Sequence, residues 1–266
     1  MARARRLARR PSVKQRPHTN YNLAQATCVT MFILQKLSSA VIRLLPLLPS
    51  TWRLPIMIRL LRFTSDEEKE AFYLDKIGPG KGMAIDIGAN YGLYSLPLSR
   101  LYNQVVSFEP NREVATPLIA ARLLNVRIVH EGVSSVEGEA EFFIPVVNGV
   151  PLGGWASLDE KNCPHATSFK KLSITLRPLD SHGLTDVGFI KIDVEGHELE
   201  VLRGGEKTIR RDHPTLLIEV RDEHLPELRS LLVGWGYRET SLKELADVTG
   251  SPQNYLFVAE STTNLA

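Results

Sequence analysis

The stretch Ala84-Ile85-Asp86-Ile87-Gly88-Ala89-Asn90-Tyr91-Gly92 decides how this chain of 266 residues is organised. A short apolar run meets an acidic residue, passes through a turn with two glycines four positions apart, and continues into a helix-like segment at residues 93–96. Glycine permits positive φ and lets main-chain N–H groups approach a ligand, and the helix that follows has a positive N-terminus. The stretch therefore predicts a strand, a turn and a helix that together bind a nucleotide-like cofactor.

The spacing of the glycines distinguishes two classes of cofactor. It reads Asp-x-Gly-x-x-x-Gly, whereas the dinucleotide fingerprint Gly-x-Gly-x-x-Gly needs further glycines two and five positions after the first. The observed spacing suits a cofactor with an adenosine and a cationic amino-acid tail but no pyrophosphate. We therefore predict S-adenosylmethionine (SAM). A βα turn without a ligand and a nicotinamide-dependent sugar oxidoreductase are the alternatives.

Charge is divided unevenly along the chain. Residues 1–65 contain twelve Lys and Arg and no Asp or Glu, so the remainder carries a net charge of −10. An acidic remainder argues against a nucleic-acid partner, which would need a basic face for the phosphates. Two cysteines without a Cys-x-x-Cys spacing argue against zinc and disulfide frameworks. We predict a basic helical extension over residues 1–65 and a catalytic domain over residues 66–266.

The extension combines a basic arm, residues 1–20, with two apolar segments. The first, residues 23–48, is interrupted by Lys36 and Arg43, so its uninterrupted apolar length falls short of the ~20 residues that a bilayer span requires. The second covers residues 52–63. We predict that residues 1–62 form an interfacial amphipathic surface on an anionic membrane, which makes the protein cytoplasmic and peripheral to the membrane. Helices packed on the domain beside a solvated arm, and an organelle transit peptide, are the alternatives.

Short apolar runs alternate with helix-like segments after residue 65. This alternation predicts an α/β fold with a mainly parallel sheet and helices on both faces, in which ligands bind at the carboxyl ends of the strands. Residues 145–171, rich in Gly, Pro, Asn and Ser, are predicted to be an irregular insertion that covers the substrate. Besides the strand that leads into Gly88, strands are predicted at 105–109, 126–129, 139–144, 172–176, 189–192, 215–218 and 255–258, and helices near 65–78 and at 112–124, 198–210 and 223–233.

Acidic residues at predicted strand ends mark the candidate site. Glu109 stands 23 residues after Asp86 at the end of the next strand, where a carboxylate can accept hydrogen bonds from both ribose hydroxyls. Asp193 and Glu195 are two positions apart after a later strand, so they share a face at the same edge, and His197 follows at a helix start. These residues predict a reaction centre next to the cofactor.

Several of these segments together resemble the FkbM family of SAM-dependent methyltransferases. They are Asp86-Ile87-Gly88-Ala89-Asn90-Tyr91-Gly92, Phe108-Glu109-Pro110, Ile190-Lys191-Ile192-Asp193-Val194-Glu195-Gly196-His197-Glu198 and Leu216-Leu217-Ile218-Glu219-Val220. The resemblance covers about residues 82–258 and implies a class I methyltransferase (Rossmann-like) fold and O-methylation of sugar or polyketide hydroxyls. It also implies that Asp86, Gly88, Asn90, Gly92 and Glu109 line the SAM site, and that Asp193 and Glu195 line the reaction centre. Arg177-Pro178 departs from the family pattern, which more often has a small hydroxyl residue before Leu-Asp.

The expected reaction is transfer of the sulfonium methyl group to an alcohol oxygen of a sugar, glycan, glycolipid or polyketide-type acceptor. An alcohol needs a base to take its proton, and Asp193, Glu195 and His197 are the candidates. A divalent metal at these carboxylates is an alternative that we do not predict, because two carboxylates and one His within five residues rarely converge without further ligands. A membrane-associated scaffold that keeps the fold without turnover is the remaining alternative. The sequence does not indicate an oligomeric state.

Overall fold

The structure is a computed structural model that describes residues 47–64, 68–241, 243–244 and 253–260, with the backbone alone for residues 61–64. The predicted basic arm, and the predicted apolar segment up to residue 46, lie outside the described residues. The next predicted segment is a helix, α1 (Ser50–Thr64), which begins directly after Pro49. Its Leu54 and Met57 are buried, whereas Trp52 and Leu60 are exposed. The division of the chain at residue 65 and its attachment to a membrane stay predictions.

A seven-stranded sheet forms the centre of the described chain. Its strands are β1 (Met83–Ile87), β2 (Gln104–Phe108), β3 (Val126–Val129), β8 (Val187–Ile192), β9 (Thr215–Glu219), β10 (Tyr237–Thr240) and β11 (Asn254–Ala259). They lie in the order β10-β11-β9-β8-β1-β2-β3, and β11 is antiparallel to both of its neighbours while the other pairs are parallel. The expected mainly parallel sheet is confirmed.

Two cores lie on opposite faces of this sheet, because alternate residues of each strand point to opposite sides. Ile85 and Ile190 belong to one core, together with side chains from the helices α5 (Glu198–Gly204), α6 (Glu206–Asp212) and α7 (Leu225–Gly234). Ala84 and Phe189 belong to the other, with side chains from α2 (Leu74–Ile77) and α3 (Ser95–Leu101). Helices therefore cover both faces, as in the class I methyltransferase fold expected from the sequence.

Three predicted helices are shorter or interrupted in the structure. Of the helix expected near residues 65–78, the described part from Glu68 onward contains a 3-10 turn at Lys69–Phe72 and the short α2, and Glu68 itself has a left-handed φ of 58°. The helix expected at 112–124 is α4 (Thr116–Ala121), which ends at Arg122 with a φ of 51°. The helix expected at 198–210 is divided into α5 and α6 at Gly205, where a Cβ would lie 3.0 Å from the side chain of Leu179.

The predicted insertion is more ordered than its composition suggested. β4 (Gly132–Val133), β5 (Gly138–Val147), β6 (Val150–Pro151) and β7 (Ser168–Arg177) form a second sheet in the order β4-β7-β5-β6. The long antiparallel pairing of β5 with β7 includes both ends of residues 145–171, the segment predicted to be irregular. Short 3-10 turns occupy part of the remaining loop. In the part of the chain that the structure describes, none of the helices combines the length and the apolar content needed to cross a bilayer.

Candidate active site

The turn after β1 and the acidic loop after β8 touch each other through Gly88. Gly88 has a φ of +81°, and a Cβ at this position would lie 1.7 Å from the main-chain oxygen of Asp193. The N–H of Asp193 donates to the carbonyl of Ile87 over 2.9 Å, which fixes the two loops side by side. Glycine is therefore required here for both backbone angle and space, and it brings the predicted cofactor turn against the predicted reaction centre.

The carboxylate of Glu109 is held by two main-chain donors. Oε2 accepts from the N–H of Asn90 at 2.9 Å, and Oε1 accepts from the N–H of Asn111 at 2.8 Å. Burial raises the pKa of Glu109 to about 7, although both hydrogen bonds act in the opposite direction. Because each carboxylate oxygen has two lone pairs, one acceptor position on each oxygen is still available to a ligand.

One cleft of about 630 Å³ brings together six of the eight predicted site residues. Its walls include Gly88, Asn90 and Glu109 from the predicted cofactor half, and Asp193, Glu195 and His197 from the predicted reaction centre. The other two, Asp86 and Gly92, are not part of these walls. Apolar side chains complete the cleft: Ile87, Phe108, Val133, Phe142, Ala156, Leu158, Ile174, Leu176 and Val194.

Asp86 and Gly92 lie behind the cofactor turn. Asp86 is 1% exposed and its Oδ2 accepts a 2.5 Å hydrogen bond from Ser95 Oγ at the start of α3. Burial raises the pKa of Asp86 to about 6, against the hydrogen bond from Ser95. Gly92 has a φ of +94°, and a Cβ there would lie 2.9 Å from Leu118. Their position indicates that they shape the turn; contact with a cofactor stays a prediction for both.

His197 lies in the cleft wall and is fixed by a hydroxyl group. Its Nε2 is 2.9 Å from Ser134 Oγ. Burial lowers the pKa of His197, partly opposed by Glu200, so the ring is neutral near pH 7. A neutral imidazole has one nitrogen with a lone pair, and when Nε2–H donates to Ser134 that nitrogen is Nδ1. In that tautomer the ring keeps one nitrogen that can accept a proton.

Glu195 is held by residues from the insertion. It adopts a φ of 54°, and its carbonyl accepts hydrogen bonds from Ser157 Oγ at 2.8 Å and Asn162 Nδ2 at 2.5 Å. Arg221 donates to Asn162 Oδ1 at 2.8 Å and lies 3.7 Å from Glu195 Oε2. Burial is the main cause that raises the pKa of Glu195 to about 7, with Glu219 acting in the same direction and Arg221 against it. The insertion thus fixes the acidic loop in place.

A buried lysine lies below the acidic loop. Lys191 is 0% exposed; its Nζ donates to Asn254 Oδ1 at 2.9 Å and lies 3.8 Å from both Asp193 Oδ2 and Glu219 Oε2. Burial lowers the pKa of Lys191, but the surrounding carboxylates outweigh it and raise the pKa overall. Burial also raises the pKa of Asp193 well above its usual range, with Lys191 opposing. Tyr94 completes the environment, with its ring centre 4.9 Å from the ammonium nitrogen.

Sequence reasoning missed four residues that support the site: Ser134, Ser157, Asn162 and Arg221. Arg221 stands three positions after the predicted strand 215–218, so its place beyond the strand end was a usable signal. The other three lie in or beside the second sheet, far along the chain from the residues they contact. No local pattern marks them, because their role depends on how the insertion folds back over the acidic loop.

Comparison with known proteins identifies one matching family and a similar protein. Residues 86–239 match the Methyltransferase FkbM domain. A methyltransferase named sdnD from Sordaria araneosa is 30% identical over 162 residues, which cover 47% of this chain and 61% of that protein. The chain thus spans less than two thirds of this relative.

Solved structures show partial similarities. The crystal structure of Methyltransferase FkbM from Methylobacillus flagellatus KT has 16% identity and a TM-score of 0.48, and the match covers 82% of this chain and 58% of that chain. Precorrin-6y C5,15-methyltransferase from Geobacter metallireducens GS-15 has 15% identity and a TM-score of 0.43, with 73% and 88% covered. The assignment rests on the sequence match, which covers more than half of this chain. The chain belongs to the FkbM methyltransferase family.

Proposed function

We propose that this chain is a SAM-dependent O-methyltransferase that acts on a hydroxyl group of a sugar, glycan, glycolipid or polyketide-type acceptor. The observation that carries the proposal is that Gly88, Asn90 and Glu109 share one cleft with Asp193, Glu195 and His197. Membership of the FkbM methyltransferase family supports the reaction class. The relative from Sordaria araneosa, itself named a methyltransferase, agrees with it.

The polar groups of the cleft fit the nucleoside part of SAM. Glu109 keeps two free acceptor positions for ribose hydroxyls, as its two main-chain donors occupy one lone pair on each oxygen. Asn90 Oδ1 is buried and has no hydrogen-bond partner among the described residues, and Asn90 lines the cleft. A buried polar atom without a partner is costly, so it is a natural contact for a ligand N–H or O–H group.

The apolar wall fits an aromatic base. Phe108 lines the cleft together with Glu109 and Pro110, and Val133, Phe142, Ile174 and Leu176 come from the second sheet. The second sheet thereby supplies part of the proposed cofactor pocket.

SAM supplies, when bound, a methyl group on a sulfonium that is already a good leaving group. The chain's own residues then have two tasks: to hold donor and acceptor in line, and to accept the hydroxyl proton. We assign the second task to His197, because it is neutral near pH 7, lies in the cleft wall and is oriented by Ser134. Glu195, with a pKa of about 7, is the other candidate in the same wall.

The direct test has two arms. The purified chain is incubated with methyl-labelled SAM and a panel of sugar, lipid-linked glycan and polyketide acceptors, and calorimetry compares the binding of SAM with that of NAD. We expect label transfer to at least one acceptor and binding of SAM alone. Binding of NAD without SAM would favour an oxidoreductase, and binding of neither cofactor would favour a scaffold without turnover; either result refutes the proposal.

A further inference from the structure

The insertion contains a segment, residues 156–162, that contributes two side chains to the wall of the proposed SAM cleft. We call it the cleft-side segment. Its last residue, Asn162, uses its side-chain amide twice: Nδ2 donates to the carbonyl of Glu195 at 2.5 Å and to Ser157 Oγ at 2.7 Å. One amide group therefore joins the segment to the acidic loop.

Arg221 holds Asn162 from the other side. Its Nη1 donates to Asn162 Oδ1 at 2.8 Å, and its Nη2 donates to the main-chain carbonyl of Asn162 at 3.2 Å. Because Oδ1 accepts from the guanidinium, the amide nitrogen of Asn162 is the atom that faces Glu195. The planar guanidinium thus fixes the side chain and the backbone of one residue together, and a lysine ammonium does not reproduce that geometry.

The backbone of Arg221 is itself anchored to the rest of the domain. The N–H of Val220 donates to the carbonyl of Gln253 at 3.0 Å. The carbonyl of Arg221 accepts from the N–H groups of His224 and Leu225 at 3.0 and 3.2 Å, at the start of α7. The guanidinium therefore extends from a fixed point near the end of β9 to the insertion.

The acidic loop is shaped to receive Asn162. Gly196 has a φ of +100°, and a Cβ at this position would lie 2.7 Å from Asn162 Nδ2. Glu195 has a φ of 54°, which is unfavourable for a residue with a Cβ. The hydrogen bonds that Ser157 and Asn162 donate to the carbonyl of Glu195 offset this cost. The conformation of Glu195 therefore depends on the cleft-side segment.

We propose that Arg221 is a positioning residue of this methyltransferase, which acts through Asn162 to hold the cleft-side segment against the acidic loop and so completes the SAM cleft. Arg221 does not belong to the described residues that line the cleft, so it acts without contact with the cofactor. When the contact between Arg221 and Asn162 is lost, the segment opens and SAM loses part of its pocket. The effect on SAM rests on the proposed function, whereas the contact itself does not.

Hydrogen exchange measures this contact in the unliganded full chain. The N–H groups of Ser157 and Asn162 report on the segment, since they donate to the carbonyls of Phe143 and Asp159, each at 3.1 Å. Arg221→Met should accelerate exchange of the peptide that covers residues 156–162 at least about tenfold, because two hydrogen bonds from a charged group are lost. Exchange in β1 and β8 should keep its rate.

Arg229→Met is the matched control. Arg229 also makes two hydrogen bonds, both to Glu239, at 2.5 and 3.0 Å, but these join α7 to β10. Its variant should leave exchange of residues 156–162 unchanged.

Two further variants separate the contact from the charge. Asn162→Ala should accelerate exchange as much as Arg221→Met, and the double variant should exchange no faster than either, since both act through one contact. Arg221 also lies 3.7 Å from Glu195 Oε2, and Arg221→Lys keeps a positive charge there. Exchange in Arg221→Lys should be intermediate, because the ammonium cannot bind Asn162 at both oxygens.

Calorimetry measures the consequence for the cofactor. Arg221→Met should bind SAM about tenfold more weakly, because the pocket is no longer preorganised, and Arg229→Met should bind it as the unaltered chain does. Unchanged SAM affinity in an Arg221→Met chain whose segment exchanges faster would overturn the positioning role.

Three exchange results would also overturn the proposal. The first is equal exchange of the cleft-side segment in Arg221→Met and Arg229→Met. The second is acceleration spread evenly over β1, β8 and the segment, which would indicate a general loss of stability. The third is full restoration by Arg221→Lys, which would show that charge alone suffices. If Arg221→Met fails to fold, Asn162→Ala and Arg221→Lys decide.

The outcome is separate from that of the proposed function, because exchange is measured without SAM. A chain whose segment opens in Arg221→Met but which binds no SAM keeps the contact and refutes the proposed function. A chain that binds SAM and transfers methyl groups, with equal exchange in all variants, keeps the function and refutes the role of Arg221.

Discussion

The main-chain N–H of Asn90 donates a 2.9 Å hydrogen bond to the carboxylate of Glu109, which joins the turn after β1 to the end of β2. Asn90 itself adopts a φ of 51°, a left-handed conformation that asparagine tolerates better than most residues. The bond therefore fixes both the turn and the acid that we expect to bind ribose. The same hydrogen bond therefore fixes the geometry of this part of the proposed cofactor site.

Glu109 should make SAM binding pH-dependent. Its pKa is about 7 in the folded chain, and the ionised form is the better acceptor for ribose hydroxyls. The affinity for SAM should therefore be highest above pH 7. It should fall as the pH decreases through 7, by up to about tenfold for each pH unit below that value. Calorimetry with SAM between pH 6 and pH 8 measures this slope.

The matched variants are Glu109→Gln and Glu113→Gln. Glu109→Gln should bind SAM about ten times more weakly at pH 8, because it loses a charge-assisted acceptor, and its pH slope should be flatter. Glu113 is exposed and pairs with Lys170, so its variant should keep both affinity and slope. An unchanged slope in Glu109→Gln would assign the titration to a different group.

Gly88→Ala should destabilise the fold through contact with Asp193. A left-handed alanine costs about 1–2 kcal/mol, and the clash with the Asp193 oxygen adds to that. Gly149 has a φ of +76° but open space around it, so Gly149→Ala isolates the cost of the backbone angle. Gly138 has neither constraint. In urea unfolding, the alanine variant of Gly88 should lose the most free energy of unfolding, that of Gly149 less and that of Gly138 least. Equal losses for Gly88 and Gly149 would show that the turn after β1 and the loop after β8 separate easily.

Lys191→Met should lower the free energy of unfolding by about 3 kcal/mol or more, since removal of one member of a buried charge cluster leaves the others uncompensated. Lys170→Met is the control: Lys170 is half exposed and pairs with Glu113 at the surface, where such pairs contribute about 0–1 kcal/mol. Chemical denaturation at pH 7 compares the two. Similar small losses for both would show that the buried carboxylates tolerate the loss of the Lys191 ammonium.

His197→Ala should reduce the rate of methyl transfer by about 10²–10⁴-fold with little effect on SAM binding, because removal of a general base affects the chemical step. Ser134→Ala should give a smaller loss, since it releases the orientation of the ring. Single-turnover assays with labelled SAM measure both. An unaltered rate in His197→Ala transfers the role to Glu195, for which the rate should rise with pH around 7.

We propose that the basic extension attaches the chain to anionic membranes. Leu54 and Met57 of α1 are buried, so removal of residues 1–62 would expose the apolar surface that they cover. Deletion of residues 2–46 keeps α1, and Trp52→Ala removes an exposed aromatic side chain from it. Sedimentation with vesicles of anionic lipid should fall sharply in the deletion and partly in Trp52→Ala. Undiminished sedimentation of both would refute membrane attachment through this region.

The sequence by itself determined the sheet and the sheet edge at which the candidate site lies. Burial of β1, β8 and β9 on both faces follows directly from their nearly continuous apolar residues, and Gly88, Glu109 and Asp193 stand at strand ends because the chain turns there. Local order along the chain sufficed for these features, since strand ends of a parallel sheet meet at one edge. Helix lengths were less predictable: Gly205 and Arg122 end helices through local backbone geometry that the apolar pattern does not reveal.

Only the tertiary structure decided which distant groups surround the acidic loop. Ser134 reaches His197, Asn162 reaches the carbonyl of Glu195, and Glu219 approaches Asp193 across Lys191, over separations along the chain of 63 residues in the first case and 33 in the second. Contacts of this kind depend on the folding of a second sheet and on the order of strands, which no short sequence pattern encodes. The sequence thus identified the acidic residues. The fold determined their partners and thereby their pKa values, because burial and neighbouring charges shift the pKa of a carboxyl group.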